Sequence, residues 1–182
     1  MSYTVHSIDS APAASKDTLT AVAKAYGFLP NLMGVMAEAP AALKAYPTLV
    51  GLFDQTSFSP TERQVVLLAT SVENGCGYCV AAHTVIAGMQ AVPDEVVQAI
   101  RAGQPLADPR LEALRRFTVA MVHSRGRLTD ADTALFLGAG YTQAQVLEVV
   151  LGVAIKTLSN YTNHLAETPL DGAFAGAAWL AA

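Results

Sequence analysis

A chain of 182 residues, 52% hydrophobic and 14% charged, has the length of one domain and enough apolar residue for a core that needs no disulfide or metal staple. Eleven basic against 15 acidic residues give a net charge of -4, which argues against a nucleic-acid partner: Arg110, Arg115, Arg116, Arg125 and Arg127 gather in one part of the chain, but Glu112 lies among them. No run approaches the roughly 18 uninterrupted apolar residues of a membrane span, because the most apolar segment, Val146 to Leu158, contains Glu148 and Lys156.

Met1 to Ser10 lacks a basic start followed by an apolar block, so no signal peptide and a cytoplasmic location are expected. In that compartment two cysteines point to a catalytic, redox or metal role rather than a structural disulfide.

Along the chain, Met1 to Ala14 reads as an irregular arm. A first helix begins at Ser15, with Leu19, Val22, Ala23 and Tyr26 on one face, and stops at Gly27. Leu32 to Ala39 is helical in character and ends at Pro40; Ala41 to Phe53 follows, with Pro47 a kink or break. Ser59-Pro60-Thr61-Glu62 is a helix start with the residues of a capping box. The next residues, Val65 to Thr70, have the composition of a buried strand, but the cap and the segment's length favour a helix. Asn74-Gly75 ends it, and another helix runs from near Cys76 to about Gly88. Shorter helices are expected from Pro93 to Arg101, from Asp108-Pro109 through Val122, and from Thr129. Thr142 with Gln145 opens a long helix to about His164 that is apolar nearly all round, as in a central buried helix. Asp171 to Ala182 is a small-residue tail whose Trp179 is expected to dock on a neighbouring subunit. No segment alternates polar and apolar residues over strand length. The expected fold is therefore all-α, roughly eight helices in one domain spanning residues 1–182.

The chemistry gathers in Glu73-Asn74-Gly75-Cys76-Gly77-Tyr78-Cys79-Val80-Ala81-Ala82-His83. On a helix, residues three and four apart share a face with Cβ atoms about 5–6 Å apart. Cys76 and Cys79 can thus pair as a disulfide, and His83 stands one turn from Cys79 as a base. The thiolate is the reactive form, and a helix N-terminus lowers a cysteine pKa. Gly75 and Gly77 leave open access near the sulfurs, unless Gly77 serves the backbone alone. Which sulfur attacks stays open, since the helix terminus favours Cys76 and His83 favours Cys79. A zinc site would need His6, His123 or His164 as a fourth ligand, and no second ligand pair stands at zinc-site spacing. Haem attachment would need histidine directly after Cys79, where Val80 stands. Two inert core cysteines with a core histidine are the plain structural reading. Their joint spacing after an Asn-Gly break argues against it.

These residues resemble the alkylhydroperoxidase D-like proteins of the carboxymuconolactone decarboxylase superfamily. The likeness is carried by Asn-Gly-Cys-x-Tyr-Cys-x3-His, by Ser59-Pro60-Thr61-Glu62-Arg63 before it, and by Gly140-Tyr141-Thr142, Val146-Leu147-Glu148-Val149 and Asn160-Tyr161-Thr162-Asn163-His164 after it, covering about Leu29 to Asp171. It implies an AhpD-like helical core at about 29–171, a homotrimer or homohexamer, and reduction of a hydroperoxide without a cofactor, with an external thiol reductant. It also implies that Cys79 attacks, Cys76 resolves the product as a disulfide, and His83 belongs to a proton relay with a glutamate. That glutamate often stands twelve residues before the first cysteine, where this chain has Gln64. Glu73 is the expected replacement and Glu148 the second candidate. Tyr78 stands where a histidine is sometimes found, and is a poor base. Two further readings are a decarboxylase or isomerase acting on a small carboxylated ring compound, and a non-enzymatic redox-sensing or zinc-binding helical oligomer.

Overall fold

The computed structural model describes residues 3–180. Among them there is no strand; nine α-helices run in the order α1 (Ala13–Tyr26), α2 (Asn31–Met36), α3 (Pro40–Phe53), α4 (Pro60–Glu73), α5 (Gly77–Met89), α6 (Asp94–Arg101), α7 (Pro109–Ser124), α8 (Asp130–Gly138) and α9 (Gln143–Ala166), followed by a short 3-10 helix, Gly172–Ala177. No single described helix is long and apolar enough to cross a membrane.

Local signals set most helix ends. Ser59, Thr129 and Thr142 each close a reciprocal capping box, with Glu62, Asp132 and Gln145. Gly27 ends α1 in the left-handed conformation at φ 78°. Two prolines behave differently from expectation. Pro40 opens α3 rather than ending α2, because the first helical position needs no N–H donor. Pro47 lies inside α3 without breaking it.

The strand-like run of α4 is a helix surrounded on its sides by α5, α6, α7 and α9. Val65, Val66 and Leu68 are fully buried, so no polar face remains to reveal the helical period. Gly152 lets α9 close on α4 and α3: a Cβ there would stand 2.6 Å from Val66 Cγ1 and 3.0 Å from Phe53 Cζ. A second apolar cluster holds α1, α2 and the start of α3 together through Leu19, Val22, Leu32, Met33, Met36 and Leu43.

Two expectations about the C-terminal part need correction. Helix α9 is not buried all round, since Leu147, Val150, Tyr161 and Leu165 form an exposed apolar stripe along one side. That outer side is as apolar as the inner one, so composition could not separate them. Trp179 docks on its own chain: its Nε1 donates to Arg101 O at 2.9 Å, and Arg101 in turn donates to the carbonyls of Ala177 and Ala178. The tail thus straps over α5 and α6. Ala181 and Ala182, its last two residues, lie outside the described residues.

Candidate active site

The chain turns from α4 into α5 at Gly75, whose φ of 67° is left-handed. Cys76 is the N-cap residue of α5, and its N–H donates to Ser71 O at 2.9 Å. Cys79 falls in the first turn of that helix and His83 one turn further on. Both thiols are free, and both are buried. Of the two glycines expected to open the site, Gly75 faces open space and Gly77 does not. A Cβ on Gly77 would meet Trp179 O at 2.8 Å, so Gly77 is small because the C-terminal strap passes directly over it.

Access comes from the other side. A cavity of about 140 Å³ is lined by Cys79, His83 and Gln64, by Lys156, and by the rings of Tyr46 and Phe53 among others. Cys79 lines it and Cys76 does not. The volume is close to that of an apolar cavity of about 150 Å³ known to hold benzene, so the space suits a small ring or a short alkyl group.

Behind Cys79, α9 presents a polar stripe made of Lys156, Ser159, Asn160 and Asn163. Asn163 Nδ2 donates to Cys79 Sγ at 3.3 Å and to Cys76 Sγ at 3.8 Å, and Ser159 Oγ lies 3.7 Å from Cys79 Sγ. Asn74 donates to Asn160 Oδ1 at 2.9 Å, which leaves the Asn160 amide nitrogen turned from that bond. Burial alone would push the Cys79 thiol up. The hydrogen bond from Cys76, the Lys156 ammonium, and the Ser159 and Asn160 side chains outweigh it and hold Cys79 well below the usual thiol range. Cys76 is pushed strongly the other way, first by its hydrogen bond to Cys79 and then by burial. The pair therefore shares one negative charge, on the sulfur that faces the cavity.

His83 Nδ1 lies 3.0 Å from Gln64 Oε1, and Gln64 Nε2 donates to Gln90 Oε1 at 3.0 Å. With its amide N–H₂ committed to Gln90, Gln64 offers the ring a carbonyl, which selects the Nδ1–H tautomer and leaves Nε2 as the basic atom. Burial, and then the Lys156 charge, hold the imidazole well below its ordinary value of 6.5, so it is neutral near pH 7. A depressed folded pKa favours the folded chain fully above the unfolded value and loses that advantage as pH falls through the folded one. Stability is thus expected to decline as pH drops from about 6.5, and His83→Gln is expected to flatten that part of a denaturant-midpoint profile. An unchanged slope would show that His83 does not titrate differently on unfolding.

The expected relay acids are engaged elsewhere. Glu73 pairs with His123 Nε2 at 2.5 Å, on the side of α4 that faces α7. Glu148 accepts from Ser57 N at 3.1 Å and Ser57 Oγ at 2.7 Å and anchors the loop before α4. Neither makes a hydrogen bond to His83, because Glu73 leaves α4 toward α7 and Glu148 sits at the far end of α9. Tyr78 is also structural: its hydroxyl donates to Asp171 and accepts from Leu32 N at 3.3 Å, while Asp171 accepts from Asn31 N at 3.1 Å. This latch ties α2, α5 and the C-terminal segment into one wall of the cavity. The histidines weighed for zinc are also spread apart. His6 contacts Glu38, His123 contacts Glu73, and His164 stacks near Tyr161; no cluster of three or more potential ligands exists among the described residues.

The sequence reading missed Lys156, Ser159, Asn160 and Asn163 as site residues. Their signal was available, since spacings of three and four inside an otherwise apolar helix place polar groups on one buried face.

Residues 37–120 match the carboxymuconolactone decarboxylase family. No curated protein matches the chain at a significant level. Among solved structures, the alkylhydroperoxidase AhpD core of an uncharacterized peroxidase-related protein from Ralstonia eutropha JMP134 is similar at 21% identity, covering 94% of this chain and 93% of that one, with a TM-score of 0.82. An uncharacterized peroxidase-related protein from Silicibacter sp. TM1040 is similar at 16% identity, with 91% and 88% covered and a TM-score of 0.78. The debrominase Bmp8, in a complex with 2,3,4-tribromopyrrole, is similar at 21% identity, with 91% and 89% covered and a TM-score of 0.76. Residues 37–120 thus match the carboxymuconolactone decarboxylase family, and the chain as a whole shares the helical fold of the AhpD core and peroxidase-related structures.

Proposed function

We propose that the chain is a thiol-dependent hydroperoxide reductase. The observation that carries this reading is that Cys79, and not Cys76, lines the cavity and carries the shared negative charge. Cys79 Sγ attacks the distal oxygen of R–O–O–H. An S–O bond forms, the O–O bond breaks, and the alkoxide takes up a proton to leave as R–OH. Cys76, protonated and hydrogen-bonded to Cys79, then condenses with the sulfenic acid to give the disulfide and water. One hydroperoxide and two thiols become one alcohol, one water and one disulfide. An external dithiol restores the pair by exchange. His83, neutral and basic at Nε2, carries protons into and out of the cavity.

A second reading is reductive dehalogenation of a small ring, favoured by the aromatic cavity walls from Tyr26, Tyr46, Phe53, Tyr78 and Phe174. There two thiols and a carbon–halogen bond would give a disulfide, a carbon–hydrogen bond and hydrogen halide.

Reduced protein mixed with a short alkyl hydroperoxide is expected to consume one equivalent and to lose two titratable thiols. Halide release from a brominated pyrrole without peroxide consumption would move the assignment to the second reading. Neither reaction occurring, or turnover of a carboxylated ring by protein lacking both cysteines, would overturn the thiol mechanism.

A further inference from the structure

Lys156 lies on α9 in the cavity wall and is fully buried. Its Nζ has no hydrogen-bond partner of ordinary geometry. A buried ammonium without a partner is strongly disfavoured, so such a group needs an opposite charge nearby. The acids of the site do not supply one: Glu73 and Glu148 are engaged on other faces, and Asp171 is held by Asn31 and Tyr78. The titratable and charged groups that face Lys156 are Cys79, Cys76 and His83 from α5, Tyr46 from α3, Tyr26 from α1, and Asp54 at the cavity rim. His83 is neutral. Tyr46 is buried, and burial raises its hydroxyl further from ionisation. Asp54 is exposed and pairs with Arg63 Nε at 3.5 Å, so the negative group left inside the cavity is Cys79.

We propose that Lys156 is the counter-ion that keeps Cys79 ionised, so that a fixed buried charge does in this chain what a carboxylate relay behind His83 was expected to do. The inference rests on Cys79 being the working thiol of the proposed function. The geometry is consistent on both sides of the pair. Cys79 Sγ already receives Asn163 Nδ2 at 3.3 Å and lies 3.7 Å from Ser159 Oγ, and both residues stand within two turns of Lys156 on the same helix face. Burial would lower the lysine, yet the charge on nearby Cys79 raises it, so it stays protonated. Gln64 also finds its place. A carboxylate at that position would compete with Cys79 for Lys156, whereas a neutral amide orients His83 and leaves the charge to the sulfur.

Oxidation removes the partner. A disulfide carries no charge, and Lys156 then stands alone in the cavity wall. The reduced dithiol is favoured by the pairing and the disulfide is not, which makes the disulfide easier to reduce.

The test uses full-length protein carrying Cys76→Ser, whose hydroxyl still donates to Cys79, so that one thiol titrates. Ionisation of Cys79 is followed by ultraviolet thiolate absorbance against pH. Adding Lys156→Met, an apolar change of similar size that removes a buried charge together with its pairing, is expected to lower the thiolate fraction at pH 7 at least about tenfold. Lys156→Gln is expected to behave as Met does, and Lys156→Arg to restore the thiolate. In the two-cysteine protein, Lys156→Met is expected to shift the equilibrium with a dithiol buffer at least about tenfold toward the disulfide, about 30 mV lower in potential. A thiolate titration unchanged in Lys156→Met, or fully kept in Lys156→Gln, would overturn the proposal. None of these readouts involves peroxide. A protein that shows the shift but consumes no peroxide would lose only the proposed reaction.

Discussion

Changing Cys79 to serine is expected to slow hydroperoxide consumption by the reduced protein at least about a thousand-fold, because a serine hydroxyl stays protonated where this thiol does not. Cys76→Ser is expected to behave differently. It leaves the cavity-facing sulfur, its Asn163 contact at 3.3 Å and the Lys156 charge in place. The first equivalent of peroxide should therefore react within about tenfold of the parent rate, and the reaction should then stop for want of a resolving thiol. Stopped-flow consumption followed by trapping of a sulfenic acid at Cys79 reads both effects. Equal losses in the two variants would erase the division of labour between the sulfurs. Fast turnover in Cys79→Ser would exclude that sulfur as the nucleophile.

Phe136→Ala is expected to destabilise the fold by about 3–5 kcal/mol, a large share of the roughly 5–15 kcal/mol typical of a domain. Phe136 is the one buried side chain of α8, and its ring stacks between Phe117 at 4.1 Å and Tyr141 at 4.5 Å. Truncation forfeits both ring contacts and leaves a cavity that its flanking rings cannot close, since Tyr141 is held by Arg110 through a hydrogen bond to its carbonyl at 3.3 Å and the guanidinium 4.4 Å over the ring. The shift of the urea midpoint followed by circular dichroism measures it. A loss below about 1 kcal/mol would show that α8 contributes little to the core.

Much of the architecture could be read from local chemistry. The boxes at Ser59, Thr129 and Thr142 and the glycine after α1 act over three or four residues, so they are visible in a linear chain and reappear in place. Readings that needed a side of a helix fared worse. α9 has apolar residues on both its packed and its open sides, and only packing distinguishes Val149, fully buried, from Leu147, exposed. The strap that carries Trp179 over Gly77 was invisible because its partner, Arg101, is 78 residues away.

The candidate site divides the same way. The spacing of Cys76, Cys79 and His83 along one helix determined that two thiols and an imidazole share about two turns of backbone, since helical geometry is local. Which sulfur meets the cavity, what holds His83, and where the counter-charge comes from depend on α4 and α9 reaching α5. Glu73 is adjacent in sequence to the motif but leaves its helix toward His123, whereas Lys156 is 77 positions from Cys79 and faces it. The charge on a buried thiol is a sum over everything packed around it. That sum exists only once helices distant in the chain have come together.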